Sequence, residues 1–210
     1  MQRGKVLNLS SFNKAISFTS QNKIMLLVVA SFIIGLVFGV SNYGKYEALD
    51  SYSKSLLSSF ITLRQTSGLF KVFISSLLSS VGILFVCFAL GSSMFGMVSV
   101  PLILAVKGYV FGAQTAYLYS EFSFKGVAFN AVLVMPSAIF LIIALILSSE
   151  QAVKFSLALA RLTVYEDEHS GISVAFKKYC IKFLTVLVLL FISAAADMFL
   201  SHNFLDNFNF

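Results

Sequence analysis

The 210-residue chain is too apolar for an ordinary water-soluble protein, since hydrophobic residues make up 58% of it and charged residues only 11%. Its formal net charge is +6, but no basic stripe or nucleic-acid-binding module accompanies that charge, which argues against nucleic acid as a partner. Within hydrocarbon, backbone polar groups are satisfied only by helices or closed barrels. The apolar runs here are continuous rather than alternating, so the sequence predicts an all-α membrane protein.

Five apolar runs approach the length of about 20 residues that a membrane-spanning helix needs. We therefore predict a bundle of about five transmembrane helices with amphipathic connecting helices. The predicted spans are residues 24–40, 72–90, 98–118, 126–147 and 183–200. The third has Pro101 in its first turn and Lys107 near its middle, which leaves open a re-entrant segment. Pro136 lies centrally in the fourth, where neighbouring helices can satisfy the freed backbone groups.

The basic residues predict the orientation, because cytoplasmic loops carry an excess of Lys and Arg. If the N-terminus is cytoplasmic, nine of them lie on the cytoplasmic side of the membrane and five on the outer side. The inner ones are Arg3, Lys5, Lys14, Lys23, Lys154, Arg161, Lys177, Lys178 and Lys182, and the outer ones are Lys45, Lys54, Arg64, Lys71 and Lys125. This orientation makes 1–23 a cytoplasmic segment, 24–200 one membrane domain and 201–210 a short external tail. It also makes 41–70 an outer loop and 148–182 an inner loop.

The outer loop carries apolar residues at helical spacing, among them Leu56, Leu57 and Phe60. This pattern predicts an amphipathic helix that lies on the outer leaflet or covers the outer end of the bundle. The same three residues are the candidate surface for binding a partner protein. Both interpretations fit the spacing.

No catalytic constellation is present in the sequence. It contains no H-E-x-x-H, no G-x-S-x-G, no pair of intramembrane aspartates and no Walker motif. We therefore expect a protein that is not an enzyme and that uses no metal and no cofactor.

Lys107 lies deep within an apolar segment, with Gln114 two helical turns further on. An ionisable residue at this depth is a candidate functional residue, here for an anionic ligand. The structural alternative is that its long side chain reaches toward the membrane interface. Asn130 and Asp197, near the ends of their spans, are expected to form hydrogen bonds within the bundle or to have a ligand role.

Two pairs of glycines are spaced four residues apart, Gly35 with Gly39 and Gly108 with Gly112. Each pair places two small residues on one face of a helix and permits close helix crossing. The same spacing allows a homo-oligomer.

Residues 91–115 read GSSMFGMVSVPLILAVKGYVFGAQT, and this stretch resembles the stage II sporulation protein M family. The residues that match the family pattern are, in order, Gly91, Gly96, Pro101, Lys107, Gly108 and Gly112. Pro136 and the Phe155-Ser156 pair follow at a fitting distance, so the resemblance covers about residues 70–160. None of the matched residues is established as catalytic in the family.

The resemblance implies a multi-pass protein of the bacterial cytoplasmic membrane. In spore formers such a protein anchors the peptidoglycan-remodelling proteins D and P of the same stage during engulfment. The first functional hypothesis is therefore a non-enzymatic scaffold that recruits envelope-remodelling partners. The second is a small permease or channel subunit in which Lys107 meets an anionic solute.

Overall fold

The computed structural model describes residues 23–45, 47–66, 68–165 and 172–204. Within these ranges the chain forms helices and no strand. The elements are α1 Lys23–Asn42, α2 Glu47–Thr66, α3 Leu69–Gly91, α4 Gly96–Phe129, a π-helical turn Asn130–Val134, α5 Met135–Tyr165 and α6 Ile172–Phe204. The predicted cytoplasmic segment before Lys23 and the last six residues of the predicted external tail lie outside the described residues.

Four helical runs in the described part of the chain are long and apolar enough to cross a membrane. They are Lys23–Asn42, Leu69–Gly91, Gly96–Ala160 and Val174–Phe204. Large apolar side chains such as Phe38, Leu78 and Leu184 remain exposed on their outer faces, as expected where lipid is the solvent. The predicted all-α membrane fold is thus confirmed.

The 65-residue run Gly96–Ala160 contains two of the predicted spans. As a straight helix it would be about 98 Å long, roughly three times the hydrocarbon thickness. The chain instead reverses at Ser123, whose φ of 45° and ψ of −125° are not helical. After the reversal Gly126 packs against the backbone of Leu118, so the two arms form a helical hairpin. The segment 98–118 lies wholly in the first arm, where Pro101 causes no break.

The two predicted glycine pairs pack against each other between α1 and α4. A Cβ atom added to any of these glycines would collide with the backbone of the facing helix. The facing pairs are Gly35 with Ala105, Gly39 with Tyr109, Gly108 with Phe32 and Gly112 with Leu36. Because the residue numbers rise together, α1 and α4 run parallel. The close crossing is therefore formed within one chain, and the glycine spacing no longer supports a homo-oligomer.

Helix α2 covers one end of the bundle. Leu57 is only 8% exposed and belongs to a buried cluster with Tyr117, Leu118, Phe129 and Leu133. These partners lie on both arms of the hairpin that reverses at Ser123. We call this end of the bundle the α2 end, and the end that contains the α3–α4 connection the opposite end.

Four aromatic side chains pack together at the opposite end, and we call them the aromatic cluster: Phe88, Phe155, Tyr179 and Phe183. The Tyr179 ring stacks on Phe88 and Phe155 with centroid distances of 5.0 and 4.6 Å. Its hydroxyl donates a hydrogen bond to the Phe88 carbonyl at 2.9 Å. The cluster joins α3, α5 and α6.

Ser156 connects α5 to the start of α4. Its Oγ accepts a hydrogen bond from the Met97 amide at 2.9 Å and donates one to the Met94 carbonyl at 3.1 Å. The Met97 amide is among the first of α4, which have no acceptor within the helix. The Phe155-Ser156 pair of the family resemblance therefore holds the opposite end together.

The helices extend beyond the predicted spans. Most of the predicted inner loop 148–182 is helical, because α5 continues to Tyr165 and α6 begins at Ile172. An ion pair between Glu150 and Lys154, one turn apart, stabilises this extension of α5. The predicted inner loop also contains three consecutive acidic residues, Glu166, Asp167 and Glu168, which lie outside the described residues.

The π-helical turn Asn130–Val134 ends two residues before Pro136. Proline removes one backbone donor and crowds the preceding turn, and a wider turn accommodates both effects. Ser193 of α6 also donates a hydrogen bond to the Ser137 carbonyl at 2.8 Å. This hydrogen bond links α6 to α5 one residue after the proline.

Candidate functional site

A cavity of about 440 Å³ lies within the bundle beneath α2. Its wall includes residues from all six helices. Phe32, Leu141 and Leu145 form part of its apolar lining, while Lys107 and Gln114 of α4 contribute to its polar lining. Cavities of a few hundred cubic ångströms that combine apolar walls with polar groups are typical of ligand sites. This cavity is the candidate functional site.

An ion pair between Arg64 of α2 and Asp197 of α6 lies in the cavity wall, and we call it the α2 ion pair. The two side chains are only 5% and 7% exposed. The Arg64 guanidinium also donates to Ser201 Oγ at 3.0 Å and to the Phe60 carbonyl at 3.2 Å. Ser76 of α3 donates to the same carboxylate oxygen of Asp197 as Arg64 does. The α2 ion pair therefore connects α2 with α3 and α6.

Further contacts stabilise Arg64 where it lies. Its Cζ atom is 3.2 Å from the centroid of the Phe60 ring, a cation–π contact. Burial lowers the pKa of Arg64, and the Asp197 carboxylate opposes that shift. Since a guanidinium does not deprotonate in proteins, Arg64 remains charged.

The charges of the cavity wall sum to one positive charge. Arg64 and Asp197 neutralise each other, and Lys107 is the third charged residue of the described lining. Lys107 makes no hydrogen bond or ion pair with any described residue. A half-buried ammonium group thus faces the cavity without a counter-charge from this part of the chain.

Other polar groups of the cavity also lack a protein partner among residues 23–45, 47–66, 68–165 and 172–204. They are the Gln114 amide and the hydroxyl groups of Ser59, Ser75 and Ser79. Ser80, by contrast, donates to the Ser76 carbonyl at 2.9 Å, the backbone contact expected of a serine in a membrane helix. The cavity therefore presents free donors on α2, α3 and α4.

The structure brings together two of the predicted functional residues, Lys107 and Gln114. Gly108 explains the direction of the Lys107 side chain. Because Gly108 packs against the backbone of Phe32 in α1, the rotation of α4 is restricted. The adjacent Lys107 lies about 100° further round the helix and faces the cavity. The lysine-glycine pair of the family pattern thus combines a packing residue with a cavity residue.

The remaining predicted residues of the bundle have packing contacts outside the cavity. Pro101 is buried near the start of α4, and Pro136 follows the π-helical turn. Gly35, Gly39, Gly108 and Gly112 form the α1–α4 contact. Asn130 is 1% exposed, and its side-chain amide donates to the Tyr119 hydroxyl at 3.0 Å. Asn130 thus bonds within the hairpin, as expected of a polar residue in a helix bundle.

The three predicted partner-binding residues of α2 contact the bundle. Leu56 and Phe60 line the cavity and are half-buried, and Leu57 is buried. The Phe60 ring meets Phe129 edge to face at a centroid distance of 6.4 Å. In this structure α2 therefore offers its opposite face to any partner, and the partner-binding role of these three side chains stays a prediction.

Arg64 is not among the predicted site residues and entered the sequence-based expectations only as a basic residue of the outer loop. A signal for its role was present. Asp197 is an acidic residue at the end of an apolar span, and such a residue requires a basic partner. Among the outer basic residues, arginine suits a buried carboxylate best, because its planar guanidinium donates several hydrogen bonds at once.

The fold and the cavity define a polytopic helical membrane protein with a net positive polar site at one end of its bundle. A family model described as stage II sporulation protein M matches residues 24–202, and the chain belongs to this family. The matched range is wider than the resemblance at 70–160 and includes α1 and α2. Membership indicates a sporulation-related membrane protein. Searches of curated proteins and of solved structures found no match.

Proposed function

We propose that this protein is a non-enzymatic anchor of the bacterial cytoplasmic membrane that recruits peptidoglycan-remodelling proteins. Family membership carries this proposal. The N-terminus is inside, so that the α2 end and the C-terminus face the outside, where the cell wall lies. The excess of inner basic residues supports this orientation.

The exposed face of α2 supports a binding role at the α2 end. The helix is held on the bundle by Leu57 and by the α2 ion pair, so its outward face is rigidly presented. Tyr52 is 53% exposed, and Lys54 and Thr62 of the same helix are also exposed. Tyr52 and Lys54 are two residues apart, so they border the outward face on opposite sides. Tyrosine is enriched among the residues that dominate binding energy at protein interfaces. We place the docking surface here.

Replacing Tyr52 and Lys54 together with alanine is expected to reduce recovery of the cross-linked envelope partner by about tenfold or more, the loss typical of an interface hot spot. The measurement is quantitative mass spectrometry after cross-linking in native membranes and purification of the protein. The variant should still insert and fold, because both side chains are exposed.

The matched control is Phe95→Ala, which removes an 80% exposed aromatic side chain at the opposite end. It should leave partner recovery unchanged. Unchanged recovery after the Tyr52 and Lys54 substitutions, in a correctly inserted protein, would count against the anchor proposal. Leu57→Ser is unsuitable as a test, because it disturbs the bundle as well as any partner.

The second candidate is a permease or channel subunit for an anionic solute that uses Lys107. The cavity and its unpaired lysine favour it. The aromatic cluster argues against it, because its stacked rings would have to separate to open the opposite end. We therefore prefer the anchor.

Proteoliposomes containing the purified protein are expected to take up labelled phosphate no faster than protein-free liposomes. The reason is the packed opposite end. Uptake that is present in the wild type and lost in Lys107→Leu would contradict this expectation and establish the permease. The absence of uptake with both proteins would exclude the permease function.

A further inference from the structure

We propose that the cavity binds one phosphate group, with Lys107 as its counter-ion. This site goes beyond the anchor function, since it requires neither a partner protein nor transport. The proposal rests on three properties of the cavity: its charge balance, its free hydrogen-bond donors and a lining that is partly polar and partly apolar.

The charge balance selects an anion. In the described lining, Arg64 and Asp197 form an ion pair and Lys107 remains unpaired. An unpaired charge inside a membrane protein is costly, and an anion in the cavity offsets that cost. A group with a single negative charge makes the site neutral.

The free donors suit an oxyanion with several acceptor oxygens. Lys107 and Gln114 lie two turns apart on α4, and Ser75 and Ser79 lie one turn apart on α3. Each donor has a proton to give and no acceptor among the described residues. The non-bridging oxygens of a phosphate group accept several such bonds at once, and bonds to an ionised acceptor are the stronger kind.

The apolar lining allows hydrocarbon beside the phosphate. Phe32, Leu141, Ile142 and Leu145 line the same cavity as Lys107. A volume of about 440 Å³ holds more than a single phosphate group. Two sources supply such a phosphate, the headgroup of an anionic phospholipid and free inorganic phosphate, and the test separates them.

Native mass spectrometry of the purified full-length protein, stripped of lipid in detergent, provides the test. The protein is incubated separately with phosphatidylglycerol, with diacylglycerol of the same chains and with inorganic phosphate. We expect one saturable binding event for phosphatidylglycerol or for inorganic phosphate, and none for diacylglycerol. Binding by phosphatidylglycerol alone identifies a lipid headgroup, and binding of inorganic phosphate identifies a free anion.

Lys107→Met is expected to weaken this binding by about tenfold or more, because a charge-assisted contact is lost. Lys45→Met removes an exposed lysine outside the cavity and should leave binding unchanged. Equal binding by Lys107→Met and wild type overturns the proposal. So does a folded wild-type protein that binds neither phosphate probe, or that binds diacylglycerol as well as phosphatidylglycerol.

Two further variants keep the test decisive if Lys107→Met does not fold. Gln114→Leu and Ser75→Ala each remove one free donor and leave the charges intact, so each should weaken binding while the protein remains folded. Unchanged binding in both variants overturns the proposal. Partner recovery is measured separately through Tyr52 and Lys54, so failure of the anchor proposal and failure of this site are distinguishable.

Discussion

Gly108→Ala is expected to destabilise the folded protein by about 2–3 kcal/mol, the upper range for overpacking a close contact. The added Cβ atom would collide with the carbonyl oxygen of Phe32, which belongs to the backbone of α1 and cannot rotate away. Relief requires α1 and α4 to separate along their parallel contact. The separation would also move the adjacent Lys107 relative to the cavity.

Gly82→Ala is the matched control for this substitution. Gly82 lies in α3, and a Cβ atom added there would meet nothing within 4 Å. Alanine should be tolerated or slightly stabilising at this position, because its helix propensity exceeds that of glycine by about 1 kcal/mol. The stabilities of the two variants are compared by circular dichroism, which follows their unfolding in mixed micelles of increasing dodecyl sulfate content. Equal stabilities would contradict the close α1–α4 contact.

Arg64→Met is expected to destabilise the protein by about 3–5 kcal/mol, the cost of leaving one member of a buried ion pair without its partner. The Asp197 carboxylate would remain buried, and one of its oxygens already has no hydrogen-bond partner among the described residues. The loss should release α2 from α6. Limited proteolysis of the segment containing α2, together with the same unfolding measurement, reports both effects.

The double variant Arg64→Met with Asp197→Leu should recover most of the lost stability, because no buried charge is then unpaired. A double-mutant cycle measures the coupling directly. Lys45→Met, which removes an exposed cation, controls for the loss of positive charge and should have little effect. Additive effects of the two single substitutions would show that Arg64 and Asp197 are not a coupled pair.

The membrane class and the helical runs were predictable because they depend on local composition. An apolar run near bilayer length must satisfy its backbone internally, whatever its neighbours are. The hairpin reversal falls within the predicted connection between the spans 98–118 and 126–147, although the residue at which it occurs was not predicted. The residue at the reversal, Ser123, is neither glycine nor proline, the residues that usually mark a turn. It adopts a positive φ that serine rarely takes.

The candidate site was predictable only in part. Lys107 stands out because a charge interrupts an apolar run, and Gln114 follows from helical spacing. Arg64 did not stand out, because its role depends on an acidic residue more than a hundred positions away. The periodicity of α2 predicts an apolar face at Leu57, but it does not say whether the bundle, lipid or a partner covers that face.

Local sequence was enough to specify lipid as the solvent, helices as the elements and the glycine pairs as close-packing faces. These properties arise from side chains within a few turns of one another. The folded bundle alone showed that the two glycine faces meet each other, that Arg64 pairs with Asp197 and that Lys107 faces a cavity. Such contacts join distant parts of the chain, and which of several compatible surfaces meet depends on how all the helices pack together.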